Sequence, residues 1–134
     1  MRQGSVRLAK KNYLKLNGEA IFEIAVKKAL AVELFDKIVL NTDDPSLESV
    51  AYKLGVDFYL RPSELASSEA TSEMVVLDFL EQYNCERVFW LNTVSPLQTI
   101  DDIKSFFIIL SMKIAPHLSP LQSIKFIQLS KHCH

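Results

Sequence analysis

Three times between residues 20 and 110 the chain passes from a helical apolar spacing to a short β-branched run, and this alternation limits its fold more than any other feature. Ile21, Ile24, Ala25, Ala29 and Leu30 mark one side of a helix predicted from about Ala20 to Glu33. Lys37-Ile-Val-Leu-Asn-Thr42 follows, short and apolar enough to be a strand buried on both faces. Leu47, Val50, Ala51 and Leu54 then recur at helical spacing, with Asp44 or Ser46 as cap, Pro45 near the first turn and Gly55 just past the end. Val56–Leu60 reads as a second strand, and Val76, Phe79, Leu80 and Tyr83 repeat the helical spacing after a polar loop. Arg87–Leu91 is the third strand. A last helix is predicted from about Thr99 to Leu110, with Asp101 and Asp102 near its positive end. Strands and helices in the order αβαβαβα, joined by short connections, imply right-handed crossovers and a mostly parallel sheet covered on both faces, a Rossmann-like three-layer α/β sandwich.

A chain of 134 residues with 49% hydrophobic content fits one core. Its 15 basic and 16 acidic side chains nearly balance, which gives no reason to expect nucleic acid or an anionic membrane as partner. No segment approaches the ~20 apolar residues of a membrane helix, and the first residues lack the apolar run of a leader, so a cytoplasmic location is expected. Cys85 and Cys133 have no metal-type spacing and read as free thiols. All the acidic residues fall at or before Asp102, and from about Ser111 helical periodicity is lost and two prolines intervene. The chain is therefore divided into a domain over 1–110 and a poorly ordered tail over 111–134. His132-Cys-His134 ends that tail, but adjacent residues do not readily converge on one zinc ion, and no metal site is assigned.

In open parallel sheets ligands bind at the carboxyl ends of the strands. Function is therefore sought in the N-terminal segment, in Asn41-Thr-Asp-Asp44 and in Asn92-Thr-Val-Ser-Pro96. The first gathers Arg2, Arg7, Lys10, Lys11 and Asn12 around Gly4 and Ser5, cations on a flexible backbone that suit a triphosphate, or else a solvated basic leader. It is neither a Walker loop nor a dinucleotide fingerprint.

Arg2-Gln-Gly-Ser-Val-Arg-Leu-Ala-Lys-Lys-Asn12 resembles the loop Arg-x-Gly-Ser-Lys-x-x-x-x-Lys-Asn of the acylneuraminate cytidylyltransferases and their relatives for other sugar acids. Leu34-Phe-Asp-Lys-Ile-Val-Leu-Asn-Thr-Asp-Asp44 is similar to the family's Leu-Phe-Asp-x-Val-x-Val-Ser-Thr-Asp-Asp, and Arg61-Pro-Ser-Glu-Leu-Ala66 to its Arg-Pro-x-Glu-Leu-Ala. Ser95-Pro-Leu97 echoes Gln-Pro-Thr-Ser-Pro-Leu-Arg, with Asp101-Asp-Ile103 at the helix start beyond it. These blocks run in order over residues 2 to 110. The resemblance implies a nucleotide-diphospho-sugar transferase fold, here incomplete, and a reaction in which the anomeric hydroxyl of a sugar acid attacks the α-phosphorus of CTP, releasing pyrophosphate and leaving a CMP-sugar. Positioning and charge neutralisation would supply most of that catalysis.

Carried over residue by residue, the resemblance gives Arg2 and Lys11 the phosphate oxygens as the catalytic pair. Gly4, Ser5, Arg7 and Asn12 would shape the nucleotide site, and Arg61 with Ser72 would border the cytosine. Asn92 and Ser95 would face the sugar. It also implies magnesium and a dimer. Arg61 has the alternative of pairing with a neighbouring carboxylate, and Ser72 that of capping a helix. Asp43 and Asp44 have the oxygen chemistry for magnesium, but Asp44 before Pro45 is read as a cap.

Several positions depart from the family's pattern. Val6 replaces a lysine and Ala9 a common proline, and Asn92-Thr-Val-Ser-Pro-Leu-Gln98 shortens the sugar-side amide and neutralises the final arginine. The family's strand before the basic loop, central in its sheet, and its Asp-x-Asp metal ligands and dimer segment find no match in this chain, so weak stability and little transfer activity are expected. A non-catalytic nucleotide-binding or interaction module is the competing reading. Receiver-like chemistry is disfavoured, because no lysine follows Leu91 where it would be needed.

Overall fold

The computed structural model describes residues 13–67, 69–83, 85, 88–92, 97–114 and 124–128. It opens on a two-stranded antiparallel hairpin, β1 (Lys15–Leu16) and β2 (Glu19–Ala20), with Lys15 opposite Ala20 and Leu16 opposite Glu19. Asn17 and Gly18 turn between them at φ 53° and 88°, the two positive values that a tight hairpin turn with the native strand twist requires. An Asn-Gly pair is the strongest short-range sign of such a turn, and the sequence reading passed over it.

Helix α1 (Ile21–Val32) buries Phe22, Val26, Ala29 and Val32. Of the predicted apolar side Ala29 is buried and Ala25 packs partly buried against the core, while Leu30 is exposed. Strand β3 (Lys37–Thr42) leads into a 3-10 turn at Pro45–Leu47 and then α2 (Glu48–Leu54). Asp44 caps that turn by accepting from the Ser46 N–H, and Gly55 ends α2 at φ 72°, a left-handed conformation that disfavours a side chain, so both predicted punctuation marks are in place. Strand β4 (Asp57–Leu60), α3 (Ser72–Gln82), β5 (Val88–Asn92) and α4 (Ile100–Ile114) complete the expected alternation.

One further strand lies in the stretch that the sequence reading assigned to a poorly ordered tail. β6 (Ile124–Gln128) runs parallel between β3 and β5, giving the sheet order β4-β3-β6-β5. Its register sets Val39, Phe126 and Trp90 side by side, and Asn41, Gln128 and Asn92 in a second row. The centre of this sheet, which the sequence reading expected to lack its strand, is filled. The ladders on both sides of β6 satisfy donors and acceptors that β3 and β5 would otherwise present unpaired. Five residues without clear alternation, beyond Pro116 and Pro120, give little local sign of a strand.

Alternate residues of β3 enter two cores. Leu40 joins Phe22, Val26, Ala51, Phe89, Ile103 and Phe107, from α1, α2, β5 and α4. Val39 joins Val75 and Phe79 of α3, with Tyr59 and Tyr83 packed around them. Helical side chains therefore cover both faces of β3, and the polar ends of the strands are left between them. The Phe79 and Tyr83 rings stack at 4.5 Å, while Phe35 meets Phe89 and Phe107 at 5.8 and 5.9 Å, so aromatic contacts close both cores.

Candidate functional site at the carboxyl edge of the sheet

The carboxyl ends of β3 and β4 lie side by side, Thr42 opposite Leu60, and the Arg61 N–H donates to the Thr42 carbonyl at 2.8 Å. This extends the ladder by one residue and brings the side chains of Asp43 and Arg61 together. Arg61 is only 3% exposed, and its Nη2 lies 3.6 Å from Asp43 Oδ1. Burial pushes the guanidinium pKa down, while Asp43, and more weakly Asp78, oppose the shift. The arginine is thus a buried cation paired with Asp43. Asp78 also accepts the Tyr59 hydroxyl at 2.8 Å, and burial, followed by this bond, raises the phenol pKa.

Asp44 divides its carboxylate between two neighbours. Oδ1 accepts from the Ser46 N–H at 2.9 Å and the Ser46 hydroxyl at 2.6 Å, and Oδ2 accepts from the Tyr13 hydroxyl. Its own N–H donates to Thr42 Oγ1 at 3.1 Å. The acidic pair after β3 is therefore committed, Asp43 to the buried arginine and Asp44 to a cap and a tyrosine. Among the described residues no group of three or more His, Cys, Asp or Glu side chains could hold a metal ion. No step is routed through the magnesium that the resemblance implies.

Asn41 opens the segment Asn41–Asp44 in which a site was expected, without a role of its own, and stands at the same edge. It is wholly buried on the face of Val39, and among the described residues its amide oxygen and nitrogen have no hydrogen-bond partner. Ser72 is exposed at the first position of α3, where the cap is Thr71, whose side chain accepts from the Met74 N–H, so the capping alternative belongs to its neighbour. Asn92 ends β5 in the row of Gln128 and Asn41. Arg2, Gly4, Ser5, Arg7, Lys11, Asn12 and Ser95 lie outside the described residues, as do Cys133 and His132-Cys-His134. At the far side of this edge Lys28 of α1 reaches the Gln98 carbonyl at 2.7 Å, tying the approach to α4 against α1.

Fold and site together define an α/β protein of the parallel-sheet kind, with a buried Arg61–Asp43 pair and a buried asparagine at the carboxyl ends of its strands. A family model described as cytidylyltransferase matches residues 1–115, and the chain belongs to that family. It is 34% identical over 98 residues to the N-acylneuraminate cytidylyltransferase of Escherichia coli O18:K1:H7 (strain RS218 / NMEC), covering 72% of this chain and 23% of that protein. Against the N-acylneuraminate cytidylyltransferase of Streptococcus agalactiae serotype V (strain ATCC BAA-611 / 2603 V/R) it is 29% identical over 134 residues, 98% of this chain and 31% of the relative. Against the pseudaminic acid cytidylyltransferase of Campylobacter jejuni subsp. jejuni serotype O:2 (strain ATCC 700819 / NCTC 11168) the identity is 30% over 112 residues, 79% and 48% of the two chains. The chain thus spans less than half the length of each of these relatives. No helix among the described residues is long and apolar enough to cross a membrane.

Proposed function

We propose that this chain carries the CTP-binding part of a CMP-sugar-acid synthetase, built as a Rossmann-like three-layer sandwich of the nucleotide-diphospho-sugar transferase type. The observation that carries the reading is the cytidylyltransferase match over residues 1–115, which takes in every residue assigned to the nucleotide. In this reading Arg2, Arg7 and Lys11 neutralise the triphosphate, Gly4 and Ser5 bring backbone donors close to it, and Asn12 orients the nucleotide. Arg61 and Ser72 border the base, with Arg61 held in place by Asp43. Asn92 and Ser95 lie on the sugar side, where the anomeric oxygen of a sugar acid would approach the α-phosphorus as pyrophosphate leaves. A cytoplasmic location goes with the use of CTP.

A non-catalytic nucleotide-binding module is the second reading. It is favoured by the commitment of Arg61, Asp43 and Asp44 to one another and to Ser46 and Tyr13.

The deciding experiment titrates the chain with CTP, with and without magnesium, following Trp90 fluorescence or heat, beside ATP and a Lys11→Ala variant. Saturable binding that prefers CTP and weakens at least about tenfold in Lys11→Ala is expected, the loss of one charge-assisted phosphate contact. A folded chain that does not bind CTP sinks the proposal. Steady pyrophosphate release with CTP and a sugar acid would remove the second reading.

A further inference from the structure

We propose that Tyr59 is a positioning residue for the base side of the nucleotide site. Its hydrogen bond to Asp78 seats α3, which begins with Ser72, on β4, which leads into Arg61. The inference rests on the nucleotide-binding reading above, which gives Arg61 and Ser72 to the base and leaves Tyr59 and Asp78 without a role. Arg61 extends the ladder of β4 and Ser72 opens α3, so the spacing of the two depends on how the helix sits on the strand.

Tyr59 stands two residues before Arg61, about 7 Å along the strand. Asp78 follows Ser72 by six residues, about 9 Å along the helix axis. The phenol hydroxyl donates to Asp78 Oδ2 at 2.8 Å and so joins the two elements. Around this bond the seat is built of apolar contacts. Val75 and Phe79 pack with Val39, and the Tyr59 ring meets Phe79 and Tyr83 edge-on at 6.2 and 5.9 Å. Apolar burial is non-directional and holds the helix down more strictly than it fixes its place along the axis, whereas a hydrogen bond has a set length and angle. Asp78 acts on the other base-side residue too, since after Asp43 it is a further carboxylate whose charge supports the buried Arg61 cation. Burial, and then the bond itself, raise the Tyr59 pKa, so the hydroxyl stays a donor through the physiological range. Groups held in place before the ligand arrives bind it at a lower entropic cost.

The test uses the full chain and measures by heat the binding of CTP and of UTP, which has the same ribose and triphosphate and differs only along one edge of the base. Tyr59→Phe keeps the ring contacts with Phe79 and Tyr83 and removes the tie. Its preference for CTP over UTP is expected to narrow roughly threefold to tenfold, the range of a single hydrogen bond, through weaker binding of CTP. Asp78→Ala removes the other partner of the bond and should narrow the preference as well, and the Tyr59→Phe/Asp78→Ala double variant should lose about as much as Asp78→Ala alone. A preference that stays unchanged in Tyr59→Phe overturns the inference, whether both affinities hold or both fall by one factor, the latter marking a purely structural tie. Losses that add in the double variant overturn it too. If the parent chain fails to bind CTP, or binds it no more tightly than UTP, the base-side reading itself falls and takes this inference with it.

Discussion

A buried carboxamide that leaves both its ends unmet costs about 1–3 kcal/mol relative to one that is paired. Asn41 is such a group among the described residues, in a strand where both neighbours, Leu40 and Thr42, are buried without that cost. Asn41→Leu, which keeps the branched skeleton and replaces the two polar atoms by methyls, is therefore expected to leave the thermal midpoint unchanged or to raise it. A fall of several degrees on a melting curve would mean that the amide is held by partners of its own. Residues whose chemistry is local were legible from sequence: Asp44 before Pro45 had to cap something, and Gly55 had to end something. The partner of Arg61 and the burial of Asn41 were not. The arginine's partner is the residue after β3, 18 positions away, and nothing in the run Lys-Ile-Val-Leu-Asn-Thr says that its amide is buried without a partner among the described residues. The capping alternative weighed for Ser72 falls one position earlier, since Thr71 beside it has equal capping chemistry and only the helix boundary decides between them.

Helix starts are the elements that acid should loosen first. At α4 the Thr99 N–H and hydroxyl donate to Asp102 Oδ2 at 3.0 and 2.7 Å, and the Asp102 N–H returns to Thr99 Oγ1 at 3.1 Å, a reciprocal box of the kind that fastens a first turn. The Thr99 hydroxyl, and after it the Thr99 N–H, hold the Asp102 carboxyl below its ordinary range. At α3 the Glu73 carboxyl is lowered by its own N–H and then by Thr71. A depressed folded-state pKa contributes stability that is present above the unfolded value, near 4, and lost as pH falls through the folded one. Asp102→Asn should therefore be less stable than the parent at pH 7, with the gap closing below about pH 4, as urea midpoints over a pH series would show. A gap that persists at pH 3 would assign the effect to packing. These helices were visible in sequence because caps and period coincide. The hairpin before α1 was missed because its two-residue strands are too short to carry a period, although Asn17-Gly18 named the turn.

For the molecule as a whole, the position of β6 decides how the sheet holds together. Proline at Ile127 removes a ladder donor from a strand paired on both sides, and Ile127→Pro is expected to cost at least about 2 kcal/mol in urea denaturation. Amide exchange should then speed up in β3 and β5 together. Acceleration confined to residues near 127 would mean that β6 does not join the two strands. This part of the architecture was illegible from sequence for a physical reason. Which strand fills the slot between β3 and β5 is set by pairing across the whole fold, and no local pattern in Ile-Lys-Phe-Ile-Gln encodes it. The sheet order also bears on synthesis. A ribosome delivers β3, β4 and β5 before β6, so the nascent chain carries β3 and β5 without the strand that joins them until β6 emerges. During that interval a strand from a neighbouring polypeptide is a direct competitor for the gap, which makes crowded expression, more than heat, the condition under which this protein should misassemble.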